Sequence, residues 1–252
     1  MGDLERRHVR MFARGRLVAV AGGAVLAGVV LAAAGTVQAA PVESKFAAVG
    51  TGSARVVCVK PLDGDERLGP DDLPTRAERP VGPLLSGYRR TGNLSSAAFL
   101  DKYWNNEANV WKYPPDDGFA RTDGELDKHE TTLRVGQDLD RFGSEYGSFL
   151  APAGDRYAKR ALPPQNLMTR DSAFPCGYHR YEVTRPFKVW QGRIAAWFEQ
   201  PGGGRQILLD PVFVNPGEGQ RLNVKWLLEH DYLKPDDDGP AGSALLAAAP
   251  TR

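Results

Sequence analysis

Glycine and proline occur throughout this chain so often that long regular elements have little room. The 252 residues include 28 glycines and 19 prolines, the two residue types that most strongly interrupt helices and strands and form turns. This composition favours a loop-rich fold built on a sheet over a helical bundle. With 42% hydrophobic and 25% charged residues, the chain is otherwise typical of a globular protein that can bury a core.

Short alternating segments predict the strands of that sheet. Apolar and polar residues alternate in 179–183 and again in 187–190, as they do in a half-buried strand. We expect two more strands, at 194–198 and 206–209, on either side of a glycine triplet. Short strands with close turns favour antiparallel pairing, so the predicted class is α+β. The expected architecture is a compact, mainly antiparallel β-sheet domain with short helices and an irregular N-terminal extension.

Two short helices are expected beside the strands. A serine at 95–96 is a suitable N-cap for a helix that runs to Tyr103. Residues 224–228 predict the second helix. Nearer the amino terminus, residues 55–60 predict a short strand, and the charged, proline-rich stretch 70–83 predicts an extended linker.

The amino terminus has the pattern of an export signal. Five arginines lie among the first 16 residues, an alanine- and glycine-rich run follows to about residue 34, and Val37-Gln38-Ala39 supplies a cleavage site. We therefore predict a signal peptide at 1–39 and a secreted mature protein, with a retained membrane anchor as the alternative. The net charge of +1 gives no field for nucleic acid or anionic membrane, so membrane contact is expected only through the signal segment.

The chain has two cysteines, Cys58 and Cys176, and both follow the predicted signal. In an oxidising compartment an isolated pair is more often a disulfide than two reactive thiols. Such a bridge would close a loop of more than a hundred residues, which the chain-entropy argument values at about 4–5 kcal/mol. No pattern of histidine and carboxylate accompanies either cysteine, so neither a nucleophile nor a metal site is predicted.

Changes of composition predict the domain organisation. After the signal, a proline- and glycine-rich extension covers 40–92, a folded domain covers 93–234, and a disordered tail covers 235–252. The acidic run Asp236-Asp237-Asp238 in this tail could bind calcium, but it lacks the full ligand spacing of a known loop.

Several motifs resemble the tuberculosis necrotizing toxin (TNT) family, whose members hydrolyse NAD to nicotinamide and ADP-ribose. Two separated segments carry most of the resemblance: LDRFGSEYGSFLAP at 139–152, followed by RALPP at 160–164, and IAAWFEQPGGGRQ at 194–206. The motif WKYPPDDGF at 111–119 is similar to the opening of TNT domains, and KWLLEHDYL at 225–233 is similar to their ending. The resemblance covers about residues 93–233 and implies an NAD-hydrolysing domain.

Three residues match positions that the resemblance implies are catalytic. Arg141, in the Arg-Phe-Gly motif, matches the family's functional arginine, and Gln206, after the glycine triplet, matches its essential glutamine. His179 is the best-placed match to a histidine that is functional in some relatives, with a structural, hydrogen-bonded histidine as the alternative. Arginine suits a phosphate through its planar, permanently charged guanidinium, and a glutamine amide can donate and accept without titrating.

Further positions are implied to contact the substrate. Phe149 stands where relatives place an aromatic residue, often tyrosine, in the pocket. Arg156 or Arg160 would add a phosphate contact, and Gly203 and Gly204 would let backbone approach the ligand closely. The triplet is also compatible with a simple hairpin turn that presents the glutamine.

The chemistry of the implied substrate fits this residue set. Cleavage of the nicotinamide–ribose bond expels a neutral pyridine from a cationic one, so the leaving group needs no protonation and no carboxylate pair. We predict a secreted NAD glycohydrolase that uses NAD as substrate and needs no cofactor or metal; a toxin role and a cognate immunity protein are further implications. The alternatives are a non-catalytic module that binds a nucleotide or partner, and a protein ADP-ribosyltransferase. The absence of a Glu-x-Glu motif argues against the transferase.

Overall fold

A computed structural model of the chain describes residues 57–236. The predicted signal peptide at 1–39, and the predicted tail beyond residue 236, lie outside these residues. Within 57–236 no helix is long and apolar enough to cross a membrane.

Three short α-helices lie in the described part of the chain, and side-chain caps start two of them. The helices are α1 (Val81–Leu84), α2 (Ser96–Tyr103) and α3 (Val224–Glu229). The Ser95 hydroxyl accepts a hydrogen bond from the Ala98 amide at 3.2 Å and so begins α2. The Asn223 side chain accepts from the Trp226 amide at 2.8 Å and begins α3. Both predicted helices are therefore present.

The strands form one large antiparallel sheet and two small hairpins. In chain order they are β1 (Trp104–Asn105), β2 (Val110–Trp111), β3 (Arg121–Thr122), β4 (Glu125–Leu126), β5 (His129–Leu133), β6 (Asp138–Phe142), β7 (Phe149–Pro152), β8 (Tyr178–Val183), β9 (Phe187–Arg193), β10 (Arg205–Leu208) and β11 (Leu233–Pro235). The large sheet has the order β11-β8-β6-β7-β10-β9-β5, and β1–β2 and β3–β4 form the hairpins. Every strand pair is antiparallel, so the predicted α+β class is confirmed.

The alternation seen in the sequence builds the main core. Inward-facing residues of the sheet, among them Leu139 on β6, Tyr181 on β8, Val189 on β9 and Ile207 on β10, are at most 1% exposed. Helix α3 covers them with Leu227, which is fully buried in the same cluster. Burial of this apolar surface is the main term that stabilises the sheet and fixes the strands that carry the site.

A disulfide attaches the N-terminal extension to this domain. Cys58 and Cys176 are bonded across a sequence separation of 118 residues, as predicted. Both cysteines are buried in a second cluster that contains Phe142, Tyr157 and Tyr178. The extension is irregular, as expected, but it is packed against the domain.

Two local predictions in the extension were wrong. Of the strand predicted at 55–60, the described residues 57–60 do not form a strand, because Cys58 has a φ of 62°, a left-handed conformation that interrupts extended pairing. The stretch 70–83 is not a purely extended linker, since α1 begins within it and Val81 is 3% exposed. Apolar contact with the second cluster folds this segment back onto the protein.

Residues 194–198 form a loop and not the predicted strand. The backbone turns sharply at Phe198 and Glu199, whose φ angles are 49° and 57°. Phe198 is 1% exposed and packs against Tyr103 of α2 at a ring-centroid distance of 5.1 Å. The Phe198 ring is therefore buried in a third hydrophobic cluster. An extended strand at 194–198 would remove the ring from that cluster.

At the other end, the ordered chain continues past the domain boundary expected at residue 234. Pro235 still pairs with Tyr181 in the sheet. The Asp236 carboxylate then lies 2.6 Å from the Arg180 guanidinium. The sheet and this ion pair hold the first two residues of the expected tail, 235–236, against the domain.

Candidate active site

A cavity of about 310 Å³ opens where the middle of the large sheet meets the loops around it. Strands β6, β7 and β10 supply its floor, and the segment that follows β2 supplies one wall. Of the residues predicted for the site, four line this cavity: Arg141, Phe149, Arg160 and Gln206. The sheet therefore brings together two sequence motifs that lie some sixty residues apart.

Arg141 is held on β6 by two backbone carbonyls, and neither of these partners carries a charge. Its Nε donates to the Ser144 carbonyl at 2.6 Å, and its Nη1 donates to the Phe149 carbonyl at 2.5 Å. No carboxylate among residues 57–236 forms an ion pair with it. Burial lowers the pKa of Arg141 from its usual value, yet a guanidinium stays protonated in proteins. The result is a desolvated positive charge at the cavity, which favours an anionic ligand.

Gly147 leaves the space that the Arg141 guanidinium occupies. A Cβ atom added to Gly147 would lie 1.9 Å from Arg141 Nη2 and 2.5 Å from its Cζ. The Gly147 carbonyl also accepts from the Val224 amide at 3.1 Å, which ties the turn to the start of α3. The turn therefore accepts only glycine if the guanidinium is to keep its place.

Gln206 lies inside β10, not on a turn as its place after the glycine triplet suggested. It pairs with Gly192 of β9 and is 8% exposed. Its Nε2 donates to the Asp117 carbonyl at 2.9 Å. Asp116 and Asp117 adopt φ angles of 55° and 54°, uncommon for residues other than glycine, and this backbone turn aims the carbonyl at the amide. With Nε2 so engaged, Oε1 is directed to accept a hydrogen bond.

Arg160 lines the cavity, but its hydrogen-bond donors already have partners. Nη2 donates to Asp140 Oδ2 and to the Asp155 carbonyl, each at 2.8 Å, and Nη1 contacts Asp140 Oδ1 at 2.5 Å. Tyr178 donates to the same Asp140 carboxylate at 2.9 Å, and burial raises the pKa of that tyrosine. Arg160 therefore neutralises a buried carboxylate at the cavity wall, and the phosphate contact expected of it stays a prediction.

Three other residues expected to contact substrate lie outside the cavity. Arg156 is exposed at the start of a 3-10 turn, Tyr157–Arg160. The Gly203 amide donates to the Ile194 carbonyl, and the Gly204 amide donates to the Lys159 carbonyl. A Cβ on Gly204 would lie 2.8 Å from Lys159 O. The triplet thus packs the 194–204 loop against the 3-10 turn, and the expected ligand contact stays a prediction.

His179 lies in a separate depression of about 260 Å³, which the 143–146 segment also lines. Its ring stacks on Phe174 at a centroid distance of 4.0 Å, and its Nδ1 is 3.5 Å from Glu145 Oε1. Tyr181 donates to the same Glu145 oxygen at 2.9 Å. The histidine lowers the pKa of Glu145 below its usual value, and Tyr181 adds to that effect. His179 therefore lies apart from the cavity that holds Arg141 and Gln206, and its buried Nδ1 forms no hydrogen bond within the described residues.

Tyr113 and Arg221 are among the cavity residues that sequence reasoning missed. Tyr113 lines the mouth and is 60% exposed, facing the same cavity as Phe149, which is 38% exposed. Tyr113 belongs to the WKYPPDDGF motif, so the resemblance could have pointed to it. Arg221 also lines the cavity, and no local pattern marks it. Two exposed aromatic rings at a cavity mouth suit a planar ligand.

The fold and the cavity define an α+β domain with an arginine–glutamine site, and the comparisons give its family. The model of the family described as Tuberculosis necrotizing toxin matches residues 132–235. The conidial surface nicotinamide adenine dinucleotide glycohydrolase nadA of Aspergillus fumigatus is 44% identical over 183 residues, which are 69% of this chain and 70% of that protein. In addition, the solved tuberculosis necrotizing toxin, complexed with its immunity factor, is 21% identical with a TM-score of 0.42 and coverage of 56% of this chain and 71% of that one. The chain belongs to the tuberculosis necrotizing toxin family.

Proposed function

We propose that this protein is an NAD glycohydrolase that cleaves the nicotinamide–ribose bond of NAD to give nicotinamide and ADP-ribose. Membership of the family and 44% identity to an NAD glycohydrolase support the reaction. The observation in the structure that carries the proposal is the Arg141 guanidinium, which within residues 57–236 forms hydrogen bonds to backbone carbonyls and no ion pair, and which shares one cavity with the oriented Gln206 amide. Such a cavity suits a dinucleotide with an anionic bridge and hydroxylated riboses.

The reaction does not require the protein to protonate the leaving group. The bond between ribose C1′ and the pyridinium nitrogen breaks, and its electron pair returns to nicotinamide, which leaves as a neutral molecule. Water then forms a bond to C1′ of the oxocarbenium-like ribose and releases one proton to solvent. The protein must position the substrate, stabilise the developing positive charge and admit that water.

In this mechanism Arg141 binds the diphosphate and Gln206 fixes the ribose. The Gln206 Nε2 is occupied by the Asp117 carbonyl, so its Oε1 accepts a hydrogen bond from a ribose hydroxyl. The dipole of that oxygen points negative charge toward the ribose, where positive charge develops. Phe149 and Tyr113 at the mouth pack against the planar rings of the substrate.

Both carboxylates that line the cavity are paired with cations. Asp140 is held by Arg160 and Tyr178. Asp117 lies 3.1 Å from the Lys128 ammonium, which it neutralises. Water therefore attacks without a strong base, which an oxocarbenium-like centre permits because it is a reactive electrophile. This arrangement distinguishes the site from glycosidases that use paired carboxylates.

We place this activity outside the cell. The relative is named as a conidial surface enzyme, and the disulfide between Cys58 and Cys176 suits an oxidising compartment. The solved toxin of the family is complexed with an immunity factor, and a cognate inhibitor of this protein is part of the proposal. Export would then protect the producing cell's own NAD.

The test is hydrolysis of the fluorescent analogue etheno-NAD by protein recovered from the culture medium. We expect Gln206→Ala to lower kcat by a hundred- to a thousandfold, about 2.7–4 kcal/mol of transition-state stabilisation, because one charge-directed contact is lost. Gln191→Ala is the matched control, since Gln191 on neighbouring β9 is also 8% exposed and does not line the cavity.

The outcomes separate the functions. Wild-type turnover by a folded Gln206→Ala protein would contradict the assignment of this residue, and no hydrolysis by the wild type would contradict the function itself. Product analysis decides the acceptor: free ADP-ribose supports hydrolysis, and ADP-ribose attached to an added protein supports transfer.

A further inference from the structure

Arg221 reaches the cavity from a different part of the chain, between β10 and α3. Its side chain is exposed and lines the same cavity as Arg141. Within residues 57–236 its guanidinium forms no hydrogen bond and no ion pair.

The backbone that follows Arg221 is fixed to the turn that holds Arg141. Leu222, which is 4% exposed, accepts a hydrogen bond through its carbonyl from the Ser148 hydroxyl at 3.0 Å. Two residues further on, the Val224 amide donates to the Gly147 carbonyl at 3.1 Å. The two arginines are therefore presented to one cavity by segments that are bonded to each other.

The charges that line the cavity leave these two arginines uncompensated. The lining residues carry three guanidiniums, on Arg141, Arg160 and Arg221, and two carboxylates. Asp140 pairs with Arg160 and Asp117 pairs with Lys128. Arg141 and Arg221 thus remain as two like charges on one cavity, an arrangement that an anion between them would stabilise.

We propose that Arg221 is a second phosphate-binding residue of the site and favours substrates that carry a phosphate at the cavity mouth. This inference rests on the proposed NAD glycohydrolase function. NAD offers two negative charges on its diphosphate bridge, which match the two free guanidiniums. A ribose 2′-phosphate, as in NADP, would bring further charge that these two cations do not balance, so the diphosphate is the favoured source.

The experiment measures binding of the product, so that it does not depend on turnover. ADP-ribose and 2′-phospho-ADP-ribose are titrated calorimetrically into the wild type, Arg221→Ala, Arg221→Lys and Arg134→Ala. Arg134 is the matched control, because it is exposed and does not line the cavity. We expect Arg221→Ala to weaken binding of both nucleotides about tenfold, since a hydrogen bond to a charged group is lost. Arg134→Ala should bind as the wild type does.

Salt dependence separates a phosphate contact from structural damage. If Arg221 meets a phosphate, the affinity of Arg221→Ala falls less steeply with added salt than that of the wild type, and Arg221→Lys restores part of the slope. A loss confined to 2′-phospho-ADP-ribose would still support phosphate binding and would assign it to the 2′ position. Unchanged affinity for both nucleotides, or a loss with an unchanged salt slope, would overturn the inference.

The proposed function fails in a different way. A wild type that neither binds ADP-ribose nor hydrolyses etheno-NAD overturns the function and this inference together. A wild type that hydrolyses etheno-NAD, with an Arg221→Ala variant that binds both nucleotides as tightly, overturns only the role of Arg221.

Discussion

The substitution Gly147→Ala tests whether the 143–147 turn needs glycine at this position to leave space for the Arg141 guanidinium. The added Cβ would lie 1.9 Å from Arg141 Nη2, whereas ordinary contact begins at 3.4 Å. The guanidinium must therefore move by about 1.5 Å, unless the turn itself shifts. Either movement strains the bonds from Arg141 to the Ser144 and Phe149 carbonyls, which are 2.6 and 2.5 Å long.

The size of the effect follows from that displacement. A misplacement of about 1 Å can cost about a hundredfold in rate, so we expect kcat/KM of Gly147→Ala for NAD to fall by about that factor. The backbone of Gly147 does not have a positive φ that would add strain of its own. The expected loss of activity therefore comes from the guanidinium, and the folded state should persist.

A double-mutant cycle gives the decisive comparison. Etheno-NAD hydrolysis is measured for Gly147→Ala, Arg141→Ala and the double variant. If Gly147 acts through Arg141, adding Gly147→Ala to Arg141→Ala changes kcat/KM by less than about twofold. An equal loss in both backgrounds would refute the reasoning, because Gly147 would then act on something other than the guanidinium.

Three further predictions concern charge, covalent linkage and pH. Arg141→Lys should lower kcat/KM at least about tenfold despite its retained charge, because an ammonium cannot bond two carbonyls and a phosphate in one plane; a change under twofold would make Arg141 an ordinary surface charge. Complete reduction of the disulfide between Cys58 and Cys176 should lower Tm, since a loop of this length contributes about 5 kcal/mol in the chain-entropy model; an unchanged Tm would contradict this. The neighbouring histidine lowers the pKa of Glu145 in the folded protein. The ionised Glu145 carboxylate therefore contributes fully to the free energy of unfolding above the pKa of an unfolded glutamate, about 4.3, and this contribution declines as the pH falls below that value. Urea denaturation should accordingly show that the advantage of the wild type over Glu145→Gln shrinks from pH 6 to pH 3, and a constant difference would exclude the linkage.

Local patterns in the sequence predicted the elements whose stability is decided locally. The alternation of 179–183 and the serine before α2 predicted a strand and a helix with nearly correct bounds. The 194–198 loop was missed because Phe198 packs on α2, almost a hundred residues earlier in the chain. The hydrophobic pattern of a segment indicates that a side chain is buried. It does not indicate which other element that side chain packs against.

The same limit applies to the site. Arg141 and Gln206 were found through motifs, and the sheet does bring them to one cavity. Nothing in the motifs showed that Arg160 is bonded to Asp140, or that Arg221 returns to the cavity from beyond β10. The sequence shows that a residue is charged, but only the tertiary fold shows whether another side chain of the protein already neutralises that charge.

Strand geometry explains why one arginine of the site is free and another is not. Asp140 and Arg141 are adjacent on β6, and adjacent side chains of a strand point to opposite faces, so the two cannot neutralise each other. Asp140 is fully buried and takes Arg160 and Tyr178 as partners. Arg141 is left with carbonyl partners, which orient a guanidinium without cancelling its charge. The fold thus satisfies one charge internally and leaves the other with uncharged partners, which is the basis for proposing that Arg141 binds a phosphate.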